Sequence, residues 1–296
     1  MGGLLMHTSV FILLFTLITL LPSPLPATQT TKPAAQPAVV QLLTRTTRRR
    51  ESCRFSYGGT VTLVGAPRGS VTVEGWTQNE VEVTADIEWK AESQADLDEL
   101  AKVNNFVFDE DLNHVSILTV GTHDRAFMKK TNKNFPKKLL NLPWKIDYRL
   151  RVPANTDLEI NAGYGPVKLS GVEGSLKISA TESETAMTLT GGIVSATITA
   201  GNVLFAVPAR SWRGSGADIR LATGVLNIEL APGFSGDIDA DILRTGKIVN
   251  TYEGLGAREK PGITERTVRA RAGAGGAFFK FTVGDGTVNI KRSGEQ

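Results

Sequence analysis

"GYGPVKLSGVEGSLKISATES", residues 163–183, states one pattern twice: Val167-Lys-Leu169-Ser-Gly171 and, nine residues on, Leu176-Lys-Ile178-Ser179. Side chains of a strand alternate between its two faces, so Val167 and Leu169 share one side while Lys168 and Ser170 take the other. The glycines between the pairs supply the positive φ that tight corners require. Each fully buried aliphatic side chain contributes roughly 1.5–3 kcal/mol, whereas ordering the backbone costs about 1–2 kcal/mol per residue. A strand with two inward side chains therefore cannot stand alone. Many such strands must share one interior, each leaning on its neighbours.

The same texture extends in both directions. Upstream, Val61/Leu63, Val71/Val73 and Val81/Val83 recur at ten-residue steps. Downstream the inward pairs are Leu158/Ile160, Met187/Leu189, Ala196/Ile198, Val203/Phe205, Ile219/Leu221, Leu226/Ile228, Ile238, Phe279/Phe281 and Val288/Ile290. The pattern predicts an all-β fold: a β-solenoid or β-roll of short glycine-punctuated strands with two or three strands per turn, the alternative being a two-sheet β-sandwich. Residues 206–216, "AVPARSWRGSG", break the alternation and leave the register there open.

Residues 91–143 interrupt the rhythm. "SQADLDELAKV" (93–103) places a Ser cap before Leu97, Leu100 and Ala101 at helical spacing, which predicts one short helix. Short strands are expected at Phe106–Phe108 and Val115–Thr119. The basic stretch 123–144, with two prolines and five lysines from Lys129 to Lys138, reads as a mobile loop.

The N-terminus is of a different kind. Residues 10–21, "VFILLFTLITLL", form a twelve-residue apolar run followed by small residues near Ala27. That is the length of an export signal's core, and residues 1–27 are expected to be a signal peptide. No Lys or Arg precedes the run, and residues 4–21 taken together approach a membrane span, so an N-terminal anchor is the second reading. Residues 28–54, rich in Thr, Pro and Arg, read as a linker. The β-repeat domain is expected over 55–292, with a tail at 293–296. A formal net charge of +3 over 296 residues carries no field of the strength that nucleic-acid binding calls for. Cys53 stands alone, so no internal disulfide can form.

Three stretches resemble the putative adhesin family of bacterial envelope proteins: "GSVTVEGWTQNEVEV" (69–83), "YRLRVPANTDLEINAGYGPVKLSGVEGSLKIS" (148–179) and "GGAFFKFTVGDGTVNIKR" (275–292). The resemblance covers about 240 residues. It implies a β-helical domain that is exported or membrane-attached, and it offers no catalytic residues to carry over.

Reactive groups do not converge. His7, His114 and His123 lack zinc-ligand spacing, and no G-x-S-x-G elbow is present to receive them. Asp237, Asp239 and Asp241 invite a calcium reading, but Ile242 and Ile248 stand where an EF-hand needs Gly and an acid. "GDG" (284–286) and "GAGGA" (273–277) are turns; neither opens a helix. No metal and no cofactor is expected. A sugar-stacking contact at Trp212, flanked by Arg210 and Arg213, is the one ligand site expected from sequence. The expected function is a non-enzymatic exported scaffold or adhesin-like recognition module of the cell envelope. Its expected partners are envelope polysaccharide or another protein surface, with membrane attachment through residues 4–21 and no nucleic acid. A membrane-anchored envelope-stress or regulatory module and a polysaccharide-acting enzyme on a β-helix are the alternatives.

Overall fold

A computed structural model describes residues 42–294. The expected signal or anchor, the linker as far as residue 41 and the last two residues of the tail lie outside the described residues. Chain order begins with β1 (Leu43–Arg54), β2 (Thr60–Arg68), β3 (Val71–Trp76) and β4 (Glu80–Ala91). Helix α1 (Gln94–Val103), β5 (Asn105–Asp111), β6 (His114–Val120), α2 (Arg125–Thr131), a 3-10 turn at Lys137–Leu139 and β7 (Trp144–Pro153) follow. The remainder is β8 (Asp157–Tyr164), β9 (Val167–Ser170), β10 (Ser175–Thr188), β11 (Gly191–Val207), β12 (Arg213–Leu230), β13 (Gly236–Asn250), β14 (Leu255–Ala257), β15 (Thr267–Ala272) and β16 (Phe278–Arg292). Among the described residues all sixteen strands belong to one sheet, so the fold is all-β.

Parallel pairing with a fixed register organises that sheet. β10 pairs along its length with β11, Leu176 opposite Val194 and Met187 opposite Phe205, eighteen residues on. On its other side it pairs with β8 and then with β9, again eighteen residues away (Leu158 with Leu176, Leu169 with Met187). Each long strand therefore acts as two half-strands joined at a corner. In β10 the inward positions are 176, 178 and 180 before the corner and 183, 185 and 187 after it. The two halves feed one continuous hydrophobic cluster. Every inward residue named from the period-two pattern is buried.

Extending the register gives the order of these two-part rungs: β6/β7, β2/β3, β8/β9, β10, β11, β12, β16, β13. Antiparallel strands cover both ends. β5 pairs β6, and β4 pairs β7 with β1 outside it. At the far end β15 pairs β13, with β14 beyond. Covering a terminal rung in this way removes the unpaired parallel edge that would otherwise template association.

One corner is lined up through the stack by glycine. Gly69, Gly165, Gly201, Gly224, Gly286 and Gly246 all have positive φ, and each packs against the backbone carbonyl of the residue in register with it. A Cβ on Gly286 would lie 1.7 Å from the Gly224 oxygen, so no side chain can enter there. Ser183 stands in the same row without glycine; its hydroxyl is buried and accepts from Thr185 Oγ1 at 3.0 Å.

Helix α1 forms where expected, Ser93 Oγ capping it by accepting from Asp96 N at 3.1 Å. Three expectations change. Residues 43–54 are not linker but the twelve-residue strand β1, held by Arg48–Asp86 at 2.7 Å and by the Arg50–Glu82 pair. The stretch 123–144 is not structureless: Asp124 caps α2 by accepting from Ala126 N and Phe127 N, while Met128 and Leu139 are buried. The register left open at 206–216 carries an irregularity: β11 pairs β12 as far as Val207 opposite Leu230, but between Gly191 opposite Arg213 and Ile193 opposite Gly216 the pairing shifts by one residue. Among the described residues no helix is long and apolar enough to cross a membrane.

Candidate ligand cleft

The residues singled out for sugar stacking are not gathered into a site. Trp212 is only 8% exposed; its ring meets Phe279 edge-on at 5.3 Å and Phe205 at 5.8 Å. Its indole N–H donates to the Gly192 carbonyl at 2.9 Å. No face of the ring is open to a sugar. Arg213 is spent on Glu173, a pair joined by Thr190, and the guanidinium holds the Glu173 carboxyl below the usual carboxylate range. Arg210 is exposed, and its carbonyl accepts from Ser235 N at 2.8 Å.

The aspartate row is likewise committed. Asp237 takes Arg271 at 2.7 Å, Asp239 takes Arg258 at 2.8 Å, and Asp241 takes Arg269 at 2.9 Å. These are cross-strand pairs between β13 and β15 with Arg258 added, and "DIDAD" opposite "RAR" is a sheet-sealing ladder. Among the described residues no group of three His, Cys, Asp or Glu side chains could hold a metal ion. Cys53 is half-buried near Glu110, and desolvation pushes its pKa up to about 11, so it rests as a thiol.

The arrangement that brings charged and aromatic side chains together around a hollow lies at the glycine corner, where β2 turns into β3 and β8 into β9. Arg68, Tyr164 and Glu182 are register partners on three successive strands. Register puts them in one row, and the Arg68 guanidinium lies 6.0 Å from the Tyr164 ring. Tyr164 is 51% exposed. Two adjoining hollows share Arg68 and Tyr164 as a common wall. One, 490 Å³, runs over Gly165, Pro166, Glu182, Glu184 and Gly201. The other, 450 Å³, runs beneath the insertion past His123, Arg125, Leu140 and Trp144. Trp144 Nε1 donates to Thr122 Oγ1 at 3.1 Å, which fixes the indole, and the His123 ring packs on it at 5.4 Å. Desolvation against that wall lowers the His123 pKa.

The cleft is thus polarised. Guanidinium and aromatic groups stand at the insertion end, carboxylates at the other, where Glu184 accepts from Asn202 Nδ2 at 2.8 Å. Such a surface can hold a polar, ring-containing ligand by stacking and by charge-assisted hydrogen bonds.

No protein-family model matches this chain, and no curated protein sequence matches it. Solved structures do. A "putative cell adhesion protein" from Clostridium sporogenes is similar at 10% identity with a TM-score of 0.46, the match covering 84% of this chain and 100% of that one. A "putative adhesin" from Bacteroides fragilis is similar at 11% identity and a TM-score of 0.31, over 83% of this chain and 97% of that one. The adhesin name recurs among the neighbours. A "putative lipid binding protein" from Parabacteroides distasonis is also similar, at 11% identity and a TM-score of 0.20, over 83% of this chain and 96% of that one.

Proposed function

We propose that this protein is a non-enzymatic, adhesin-like recognition module of the bacterial cell envelope, exported by its N-terminal segment and built on a β-solenoid. The solenoid reading is supported by the eighteen-residue offset that relates β8 and β9 to β10 and β10 to β11, and by inward side chains from both halves of each rung. A stiff stack of this kind presents a corner cleft in fixed geometry, which lowers the ordering cost of binding. The observation that carries the function is the contrast between acids and cleft. The acids best placed for chemistry, Asp237, Asp239, Asp241 and Glu173, are each held by arginine, whereas Tyr164 stands half-open beside Arg68. Export is supported by the apolar run 10–21.

The test is a panel of envelope polysaccharides incubated with purified protein, scored for both retention and release of reducing ends. Retention without release is expected; release of reducing ends from any of them would replace this reading with a polysaccharide-acting enzyme. The length of residues 4–21 favours a second form of the same function, a module anchored in the membrane. Retention in the membrane fraction after a carbonate wash supports that form, and release supports cleavage.

A further inference from the structure

We propose that the cleft at Arg68 and Tyr164 is the recognition site and that its ligand is an acidic polysaccharide carrying carboxylates on spaced sugars. This rests on the recognition-module reading above and names its ligand class.

Arginines without a counter-charge set the sign of the ligand. Along the sheet faces several guanidiniums are spoken for: Arg48 by Asp86, Arg213 by Glu173, Arg220 by Asp218, Arg244 by Asp285 and Arg271 by Asp237. Arg54 and Arg292 make no ion pair among the described residues, but each lines a separate hollow. Arg68 and Arg125 differ. Among the described residues neither has an acidic partner, and both line the same hollow. Arg68 reaches it from the corner of β2, and Arg125 from the first turn of α2, on the insertion between β6 and β7. Two guanidiniums without counter-charge facing one cleft form a fork for a carboxylate.

The insertion adds to the sign. From 121 to 143 its cations are Arg125, Lys129, Lys130, Lys133, Lys137 and Lys138, against the single acid Asp124. Among the described residues, Lys138 alone of these makes an ion pair, with Asp96 at 2.9 Å. The stretch therefore raises the local concentration of an anionic polymer near the cleft.

Aromatic groups select a sugar over a bare anion. Tyr164 offers a half-exposed ring, and the indole of Trp144, fixed by Thr122, backs the wall. The shape selects a linear chain. The hollows run from the insertion across the corners of β2, β8, β10 and β11, three strand spacings or roughly 14 Å. Glu182 and Glu184 at the far end decide between polyanions. A nucleic acid, with a phosphate at each unit, would lay charge against these carboxylates; a polymer of alternating acidic and neutral sugars can place a neutral unit there. Flat apolar surface, which an anionic membrane would ask for, does not surround the cleft: only Leu140 and Tyr164 among its lining residues are large, apolar and exposed.

The test uses the full chain immobilised for biolayer interferometry. The probes are polygalacturonate, an alternating acidic–neutral glycan (hyaluronan), neutral dextran, sheared duplex DNA, and vesicles of phosphatidylglycerol. Hyaluronan is expected to bind more tightly than the other four, with affinity falling as salt rises. The double variant Arg68→Ala/Arg125→Ala is expected to lose at least tenfold, and Tyr164→Ala several-fold. All three side chains are exposed, so thermal melting should be unchanged and loss of fold is separable from loss of binding. Lys177→Ala, on the outer face of β10 away from the cleft, should bind as the wild type does. Three outcomes overturn the proposal: no acidic glycan binds, the double variant binds undiminished, or DNA or vesicles bind more tightly through the same two arginines. Binding of a neutral glycan instead would leave the recognition module standing and remove only its acidic ligand.

Discussion

From Asp157 to Leu230 successive rungs come from successive chain: β8/β9, β10, β11 and β12 each follow the last, mostly eighteen residues on. From Leu43 to Pro153 rungs of the same shape are assembled from distant pieces. β2/β3 pairs with β8/β9 across almost a hundred residues, and the corner of the outermost rung holds a whole insertion with α2. The consecutive part is held by apolar layers and a shared glycine corner; the assembled part is closed by charge. Arg45–Asp98, Arg48–Asp86 and Arg50–Glu82 secure the β1 end. The opposite end repeats the device, with β16 slotted between β12 and β13 and the Asp237–Arg271 ladder sealing β15. At both ends the chain runs past its neighbour, makes a cap and returns to fill the rung it skipped. The glycine corner runs through both parts, and the end caps add their ion-pair ladders to it.

The largest effect that would break this comparison is steric. Gly224→Val places side-chain atoms where a Cβ alone would already lie 1.8 Å from the Gly201 carbonyl, at a φ of 142°. A loss of stability of about 3 kcal/mol or more in urea denaturation is expected. Gly58→Ala, in the turn before β2 at a φ of 74° with nothing within 4 Å of the new Cβ, should cost only about 1 kcal/mol. Equal costs would mean that the corner row is not close-packed. Next in size, Trp212→Ala should destabilise by roughly 3–5 kcal/mol by emptying the aromatic cluster with Phe205 and Phe279. Lost glycan binding with unchanged melting would return Trp212 to the surface.

A smaller effect separates ends from middle. Arginine partners lower the pKa of Asp86 and Asp237, and Arg244 with Thr245 lowers that of Asp285 to about 2. Groups depressed in the folded state contribute stability above the unfolded carboxyl value of about 3.9, and that contribution is lost as pH falls through the folded value. Between pH 4 and 2, hydrogen exchange should therefore quicken first in β1 and β15, with β10 and β11 protected longest. Uniform loosening would contradict the division between ends and middle.

The inward faces were legible because alternation reports burial directly, as in Val71/Val73 or Leu176/Ile178. Partnership was not, since alternation is blind to which strand lies beside which; the β2–β8 pairing has no mark in either segment. β1 reads as linker because "TRTTRRRE" carries no apolar face. It is an edge strand held by ion pairs with β4, a pattern that looks like solvated chain until the partner acids are placed. Helix α2 leaves little trace in the sequence because its inward signal is no more than Met128, partly buried Phe127 and an Asp124 cap. Trp212 looked like a surface group because alternation fails around it; the chain bends there to turn the indole inward. Tyr164 was visible as an aromatic beside Gly-Pro, but Arg68 comes to it only through register, so the cleft could not be read from either residue.

The eighteen-residue register is the point on which the rest depends, and cysteine cross-linking tests it most directly. In a Cys53→Ser background, Lys177→Cys and Ser195→Cys occupy register partners on the outer faces of β10 and β11, about 4.8 Å apart, within reach of a disulfide. Lys177→Cys with Thr199→Cys sets the thiols four residues out of register, roughly 13 Å along the strand. Rapid oxidation of the first pair and none of the second is the predicted result; bridging of both, or of the second alone, would contradict it.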